Sequence, residues 1–345
     1  MSEIVPENYL AAEILNVISR HISFRTFVSL VTVNRGMLRH VVNDAGQIKL
    51  RCTVAYNCKL GMWKRFVTSL VLRNNSFLGK YKFNPVDFPR LQTVVASGCH
   101  IRDVEIEMFS KLKSLDLRSN PVTDISCLRN ICKLKLGGPY IKKIPTLPNL
   151  EYLEMDKYVE LTDIDPLPKI RTIQYISQGV HAVCNTNIVN SMLDNKTLTS
   201  LNISGVLLVQ GNVNLLGASS GTLKYLNISA TTITDVPALP NLVHLDISMK
   251  GLVKVGCLPS LELLIAHNCH IEMPEYLNET FPKLRELDIS DNFHIIEVPT
   301  INTLEIVNIS STNISIIPDL PNLKRVVCKF CLSQLNIPKH IELIT

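Results

Sequence analysis

Phe281-Pro-Lys-Leu-Arg-Glu-Leu-Asp-Ile-Ser-Asp-Asn292 is the stretch on which the fold turns. It has the form L-x-x-L-x-L-x-x-N, with Leu284, Leu287 and Ile289 in the apolar places and Asn292 at the polar end. Side chains alternate along a strand, so Leu287 and Ile289 point to one side and Glu286 and Asp288 to the other. Leu284 turns inward just before the strand, and Asn292 is placed to satisfy backbone groups where the chain leaves it. One such unit cannot bury three apolar side chains by itself. A row of stacked copies can.

The copies run outward from this stretch in both directions. Their first apolar residues are Val67, Leu91, Leu112, Ile131, Leu150, Ile170, Leu198, Leu223, Leu242, Leu261, Leu284, Leu304 and Leu323, with a fragment at Ile341. Most steps are 19 or 20 residues, and the longest, from Ile170 to Leu198, is 28. Phe88-Pro-Arg-Leu91 and Phe281-Pro-Lys-Leu284 share one lead-in; Leu147-Pro-Asn-Leu150, Leu239-Pro-Asn-Leu242 and Leu320-Pro-Asn-Leu323 share another. The pattern resembles the leucine-rich repeat (LRR) family over residues 67–345. That resemblance implies an α/β leucine-rich-repeat solenoid: about 13 turns with a parallel sheet on a concave face. Proline lacks a backbone donor and favours extended or turn geometry, and short repeats leave little room for helices. The outer face is therefore expected to be extended chain and turns. Two exceptions are long enough for a helix, around Asn187–Leu193 and after Pro274, the first alternatively a projecting loop.

Residues 1–45 do not follow the repeat. Leu10, Ile14, Leu15, Ile18 and Ile22 are spaced as on one face of a helix, and Phe27, Leu30, Val33, Leu38 and Val41 continue in the same manner. This segment resembles an F-box, whose pattern runs L-P-x-E-L-L-x-x-I, a spacer, L-x-x-L-x-x-V, then a basic residue and Trp. Leu10-Ala-Ala-Glu13-Ile14-Leu15-Asn-Val-Ile18 matches the first half and Phe27-Val-Ser-Leu30-Val-Thr-Val33-Asn34-Arg35-Gly36-Met37 the second. Ala11 stands where Pro is usual, and Met37 where Trp is usual. The resemblance implies that Leu10, Ile14, Leu15, Ile18, Phe27, Leu30, Val33 and Met37 dock on a Skp adaptor and its cullin. The alternative is a helical cap closing the open end of the solenoid. Residues 46–66 read as a connector or degenerate first repeat, with Trp63, the only tryptophan, packing the joint.

Composition narrows the function. A net charge of +5 with scattered basic residues contains no Lys/Arg run of the kind that tracks nucleic acid or a membrane surface, so neither is an expected partner. The first residues lack a basic region followed by an apolar core, and no apolar run reaches membrane-spanning length. The expected location is the cytoplasm or nucleus, not the secretory route. Ten cysteines do not form a zinc set. Cys99, Cys269 and Cys331 fall where other repeats have Asn, and Cys328 falls at an inward strand position. Cys328–Cys331 is therefore expected to be two packed thiols.

No P-loop, dinucleotide fingerprint, zinc-protease or serine-hydrolase motif occurs, and no catalytic, metal or cofactor site is expected. His267-Asn-Cys-His270 has residues facing different ways. What remains is the outward face of the sheet. Parallel stacking turns each repeat position into a ladder. Tyr152, Tyr225, His244, Leu263 and Ile265 would stand there among Glu154, Asp246, Glu286 and Asp288. Exposed aromatic and apolar groups on a rigid sheet suit a protein partner, and the acids suggest basic groups on it. The expected role is a substrate receptor of an SCF-type (Skp–cullin–F-box) ubiquitin ligase. The alternative is a non-degradative LRR scaffold, phosphatase-regulator-like, with residues 1–45 as cap. The abrupt finish at Ile341-Glu-Leu-Ile-Thr345 leaves either self-shielding or a homodimer through that edge open.

Overall fold

The computed structural model describes residues 50–54, 67–72, 88–103, 107–156, 159–176, 182–209, 213–215, 219–272, 277–331 and 335–345. Residues 1–45, Trp63 and the site residues from Leu10 to Met37 lie outside them. The chain divides into two compact units between Ile141 and Lys142.

In the first unit β1 (Leu50–Val54), β2 (Val67–Leu72), β3 (Thr93–Val95), β4 (Ser114–Asp116) and β5 (Lys133–Leu136) lie side by side, each pair parallel. β1 falls within the stretch read from sequence as a connector and pairs with β2 across one register shift at Leu50/Arg51.

The second unit repeats the plan at greater length. Its main sheet runs through β7 (Tyr152–Asp156), β9 (Thr172–Ile176), β11 (Ser200–Asn202), β13 (Tyr225–Asn227) and β15 (His244–Asp246). It continues through β17 (Leu263–Ile265), β19 (Glu286–Asp288), β20 (Ile306–Asn308), β21 (Arg325–Val327) and β22 (Glu342–Ile344). On the other side, short parallel pieces form minor sheets: β6 (Lys143–Ile144) with β8 (Asp163–Ile164), and β10 (Ala182–Asn185) with β12 (Val206–Val209). β14 (Asp235–Val236), β16 (Lys250–Val255) and β18 (Cys269–Glu272) form a third. Among the described residues the α-helices are α1 (Thr186–Leu193), capped by the Asn185 side chain, which accepts from Asn187 N–H, and the single turn α2 (Leu277–Thr280). They lie between Ile170 and Leu198 and between Leu261 and Leu284, two of the longer repeats.

Burial follows the sequence rows. Every first-position residue from Val67 to Ile341 is buried, as are the inward strand residues from Leu70 to Val326, whereas Leu343 in the last strand is exposed. Proline builds the lead-in turn: Leu91 N–H donates to Phe88 O, Leu150 to Leu147, Leu242 to Leu239, Leu284 to Phe281 and Leu323 to Leu320. These are i→i+3 turns with Pro at the second place, where its fixed φ is already correct.

The exit from each strand is equally regular. The eighth motif residue has positive φ at Gly98, Ser119, Gly138, Gly205, Ala230, Met249, Asn268, Asp291, Ser311 and Phe330. Its N–H reaches the next repeat: Ala230 to Ser248 O, Met249 to His267 O, Asn268 to Ser290 O and Asp291 to Ser310 O. Asn292, one residue on, is buried and ties back to the preceding repeat. Its Oδ1 accepts from Cys269 N at 2.8 Å, and its Nδ2 donates to Ala266 O at 2.8 Å and Ile289 O at 2.8 Å. Asn120 does the same for Cys99, Ile101 and Ala96. Truncating Asn292 leaves several buried backbone groups unpaired. Asn292→Ala is expected to lower unfolding free energy by about 2–3 kcal/mol in urea titrations; a change under about 0.5 kcal/mol contradicts this role.

Candidate functional site

The outward ladder is present in the second unit with the register that places its members side by side. Tyr225 pairs with His244, His244 with Leu263, Leu263 with Glu286, and Glu286 with Ile306. One residue pair further along the same strands, Asn227, Asp246, Ile265, Asp288 and Asn308 form a second row. Tyr225, His244, Leu263, Ile265 and Ile306 are all half-buried, lying across the sheet surface. The Tyr225 and His244 rings meet at 4.5 Å between centroids, tilted by 45°.

The acids do not all stand open. Glu154 is only 4% exposed and accepts from Tyr152 Oη at 2.7 Å, a phenol that also lies 2.8 Å from Gln174 Oε1. Tyr152 and Glu154, the first members of the expected surface, are thus turned toward one another. Asp246 accepts from Ser248 N at 3.0 Å with one oxygen and from Asn227 Nδ2 at 2.9 Å with the other. Asp288 accepts from Ser290 N at 2.9 Å and from Asn308 Nδ2 at 2.9 Å. Asn202, Asn227 and Asn308 accept from Ser204, Ser229 and Ser310 in the same way. This is an Asx turn: a short side-chain oxygen satisfies the backbone N–H two residues on, where the chain leaves the sheet. The Leu-Asx-Ile-Ser sequence is therefore a structural signature of the strand exit. Of the four expected acids, Glu286 is the one on the exposed surface.

His267, Cys269 and His270 separate as expected. His267 Nδ1 lies 3.0 Å from Ser290 Oγ and 3.2 Å from Asp291 Oδ2, Cys269 is buried, and His270 stacks on His294 at 4.4 Å. An open pocket of about 550 Å³ lies here, lined by Met249, Asn268, His270, Asp291, Phe293 and His294 among others. It brings together eighth-position residues of three successive repeats, a grouping the linear pattern would have revealed had that position been read as a column. Among the described residues no set of three or more His, Cys, Asp or Glu is arranged to hold a metal ion.

Burial pushes the His244 imidazole below its ordinary value, against the opposing influence of Asp246 and Glu286.

A family model described as Leucine Rich repeat matches residues 110–127, the turn that contains β4. Among solved structures, the mouse RP105/MD-1 complex is similar with TM-score 0.57 at 16% identity, over 83% of this chain and 55% of that one. The APL1 leucine-rich repeat domain matches with TM-score 0.45 at 17% identity, over 81% of this chain and 70% of that one. The Drosophila Toll–Spatzle complex matches with TM-score 0.41 at 14% identity, over 84% and 54%. The chain thus spans about half the length of the mouse and Drosophila chains it matches. No curated protein matches the sequence. The repeat match over residues 110–127 and the parallel-sheet stack agree on a leucine-rich-repeat fold.

Two outcomes test this site's chemistry. Asp288→Asn keeps the turn cap but loses the lateral bond to Asn308, whereas Asp288→Leu loses both. Chemical denaturation should show a loss of about 0.5–1.5 kcal/mol for the first and roughly twice that for the second. Equal losses would show that the cap contributes nothing. For His244, a folded value below the unfolded one means the unfolded chain binds the extra proton first. Its contribution to stability is complete above the ordinary histidine range and is lost as pH falls through it toward the lower folded value. The thermal midpoint of wild type should therefore fall more steeply than that of His244→Phe between about pH 7 and 5; parallel curves would refute it.

Proposed function

We propose that this chain is an intracellular substrate receptor of an SCF-type ubiquitin ligase. The observation that carries the reading is the row Tyr225, His244, Leu263 and Ile265 on the outward side of the second unit's sheet, held at fixed spacing by nearest-neighbour strand pairing. Rigid aromatic and aliphatic groups lose little entropy when a partner covers them, which makes them suitable anchors. Glu286 beside them offers an open carboxylate to a basic group. Asp246 and Asp288, committed to strand exits, help shape the face, and Tyr152–Glu154 forms a polar end to it.

The second half of the reading rests on the N-terminal sequence alone. Leu10, Ile14, Leu15, Ile18, Phe27, Leu30, Val33 and Met37 resemble the adaptor-binding face of an F-box. In that arrangement the chain performs no chemistry. It raises the effective concentration of a bound target near a ubiquitin-conjugating enzyme.

The test is a pull-down of the full chain against purified Skp adaptor and cullin. It is run beside a chain starting at Ala45 and a Leu15→Asp/Leu30→Asp double variant of unchanged circular dichroism. Capture by the full chain and its loss in both altered forms is the expected result. A folded full chain that captures neither protein overturns the receptor reading and leaves a binding scaffold whose N-terminus is a cap.

A further inference from the structure

The last full repeat carries cysteine at two of its motif positions. Cys328 fills the inward slot held by Ile228, Ile247, Ile289 and Ile309 in other repeats, and it is buried there. Cys331 takes the place of the asparagine represented by Asn120 and Asn292. Where those asparagines tie one repeat to the preceding one through hydrogen bonds, here the two sulfurs meet each other, with Cα atoms 5.7 Å apart. The sequence reading expects two packed thiols; the structure brings the two sulfurs together at a Cα separation that a disulfide spans.

The two sulfurs differ in access. Cys328 is buried beneath β21, and its N–H donates to Ile344 O of β22 at 2.8 Å. Cys331 is half-exposed and follows Phe330, which is 88% exposed. A buried sulfur beside an accessible one is the arrangement of a resolving and an attacking thiol. Cys127, Cys132, Cys184 and Cys257 form no disulfide. Cys184, in the core, is pushed up to about 11 by burial, and burial likewise raises Cys127.

We propose that Cys328 and Cys331 form a reversible two-electron thiol–disulfide site, with Cys331 the exchanging sulfur and Cys328 the resolving one. With glutathione disulfide as oxidant, the Cys331 thiolate attacks one sulfur of that disulfide. A mixed disulfide forms and one glutathione thiolate leaves and takes up a proton. The Cys328 thiolate then attacks Cys331 Sγ, closing the protein disulfide and releasing the second glutathione. Two protein thiols are oxidised and one glutathione disulfide is reduced to two thiols. Reduction by glutathione runs the same steps backwards, entering at Cys331 because that sulfur is the one a small thiol can reach. Since Cys328 N–H is bonded to the last strand, the state of the pair is felt at β22.

The test uses the full chain equilibrated across ratios of reduced to oxidised glutathione, quenched in acid, alkylated and read by peptide mass spectrometry. The Cys328–Cys331 peptide should show one two-electron transition, with the oxidised-to-reduced ratio changing tenfold per about 30 mV, while Cys99, Cys184 and Cys269 stay reduced. Cys328→Ser should accumulate a glutathione adduct on Cys331, and Cys331→Ser should gain none on Cys328. Hydrogen exchange at Cys328 and β22 should quicken on reduction while β19 is unchanged. A pair that stays dithiol at every ratio, or an adduct that forms on Cys328 instead, overturns the proposal. The wild-type titration decides this even where a serine variant fails to fold. It also does so independently of whether the chain binds an adaptor.

Discussion

The strand exit is the constraint on which the architecture depends. At ten strand exits the chain turns away from the sheet while keeping its backbone paired, and it does so by placing one residue in the left-handed region. For a residue with a Cβ this costs about 1–2 kcal/mol, and Met249, Asn268, Asp291 and Phe330 all accept it. The return is a hydrogen-bond ladder that continues past the last strand residue. Ile247 N–H reaches Ile265 O, Met249 N–H reaches His267 O, and Asn268 N–H reaches Ser290 O. Without that turn the inward residues after the strand, such as Ile247 and Ile289, would not face the core. The Asx caps and the buried Asn120 and Asn292 staples are secondary supports for the same bend.

That bend also decides what the outward face can offer. Side chains at the fifth motif position sit beside the exit, and those with a short oxygen are drawn into capping it. Residues two places earlier have no such duty, and there Tyr225, His244, Leu263, Glu286 and Ile306 are free to vary in character. The face is therefore two columns with different freedoms. One is conscripted by the backbone and one is available for recognition, and the aromatic and aliphatic groups fall mainly in the second.

Sequence periodicity made the core legible because burial in a stacked repeat is a strictly local property. Leu284, Leu287 and Ile289 are buried for the reason the pattern implied, and the same holds from Val67 to Leu323. The proline lead-ins were readable because proline restricts φ wherever it stands. Long spacing correctly marked α1 and the neighbourhood of α2. Alternation assigns a side but not a partner: Asp246 and Asp288 do point away from the core, then bend back to the backbone two residues on, while Glu286 stays exposed. Glu154 was hidden for a related reason, since its partner Tyr152 is a neighbour on the same face. The left-handed residues were invisible because only Gly98, Gly138 and Gly205 declare themselves by type. The C-x-x-C spacing was visible in the sequence; whether its sulfurs touch depends on the depth of Cys328, which only the packed turn supplies.

The proline turn has a consequence for how such a chain changes over generations. Its bond, as between Leu150 N–H and Leu147 O, closes within four residues and asks nothing of any other repeat. Strand pairing in turn asks only for a neighbour on each side. A segment running from one lead-in turn to that of the next repeat is thus a self-contained cassette with interchangeable ends. Duplication or loss of one cassette in the gene lengthens or shortens the sheet by one strand without a new type of contact having to arise. Recombination at these prolines offers a route by which the reach of the face adjusts to partners of different size.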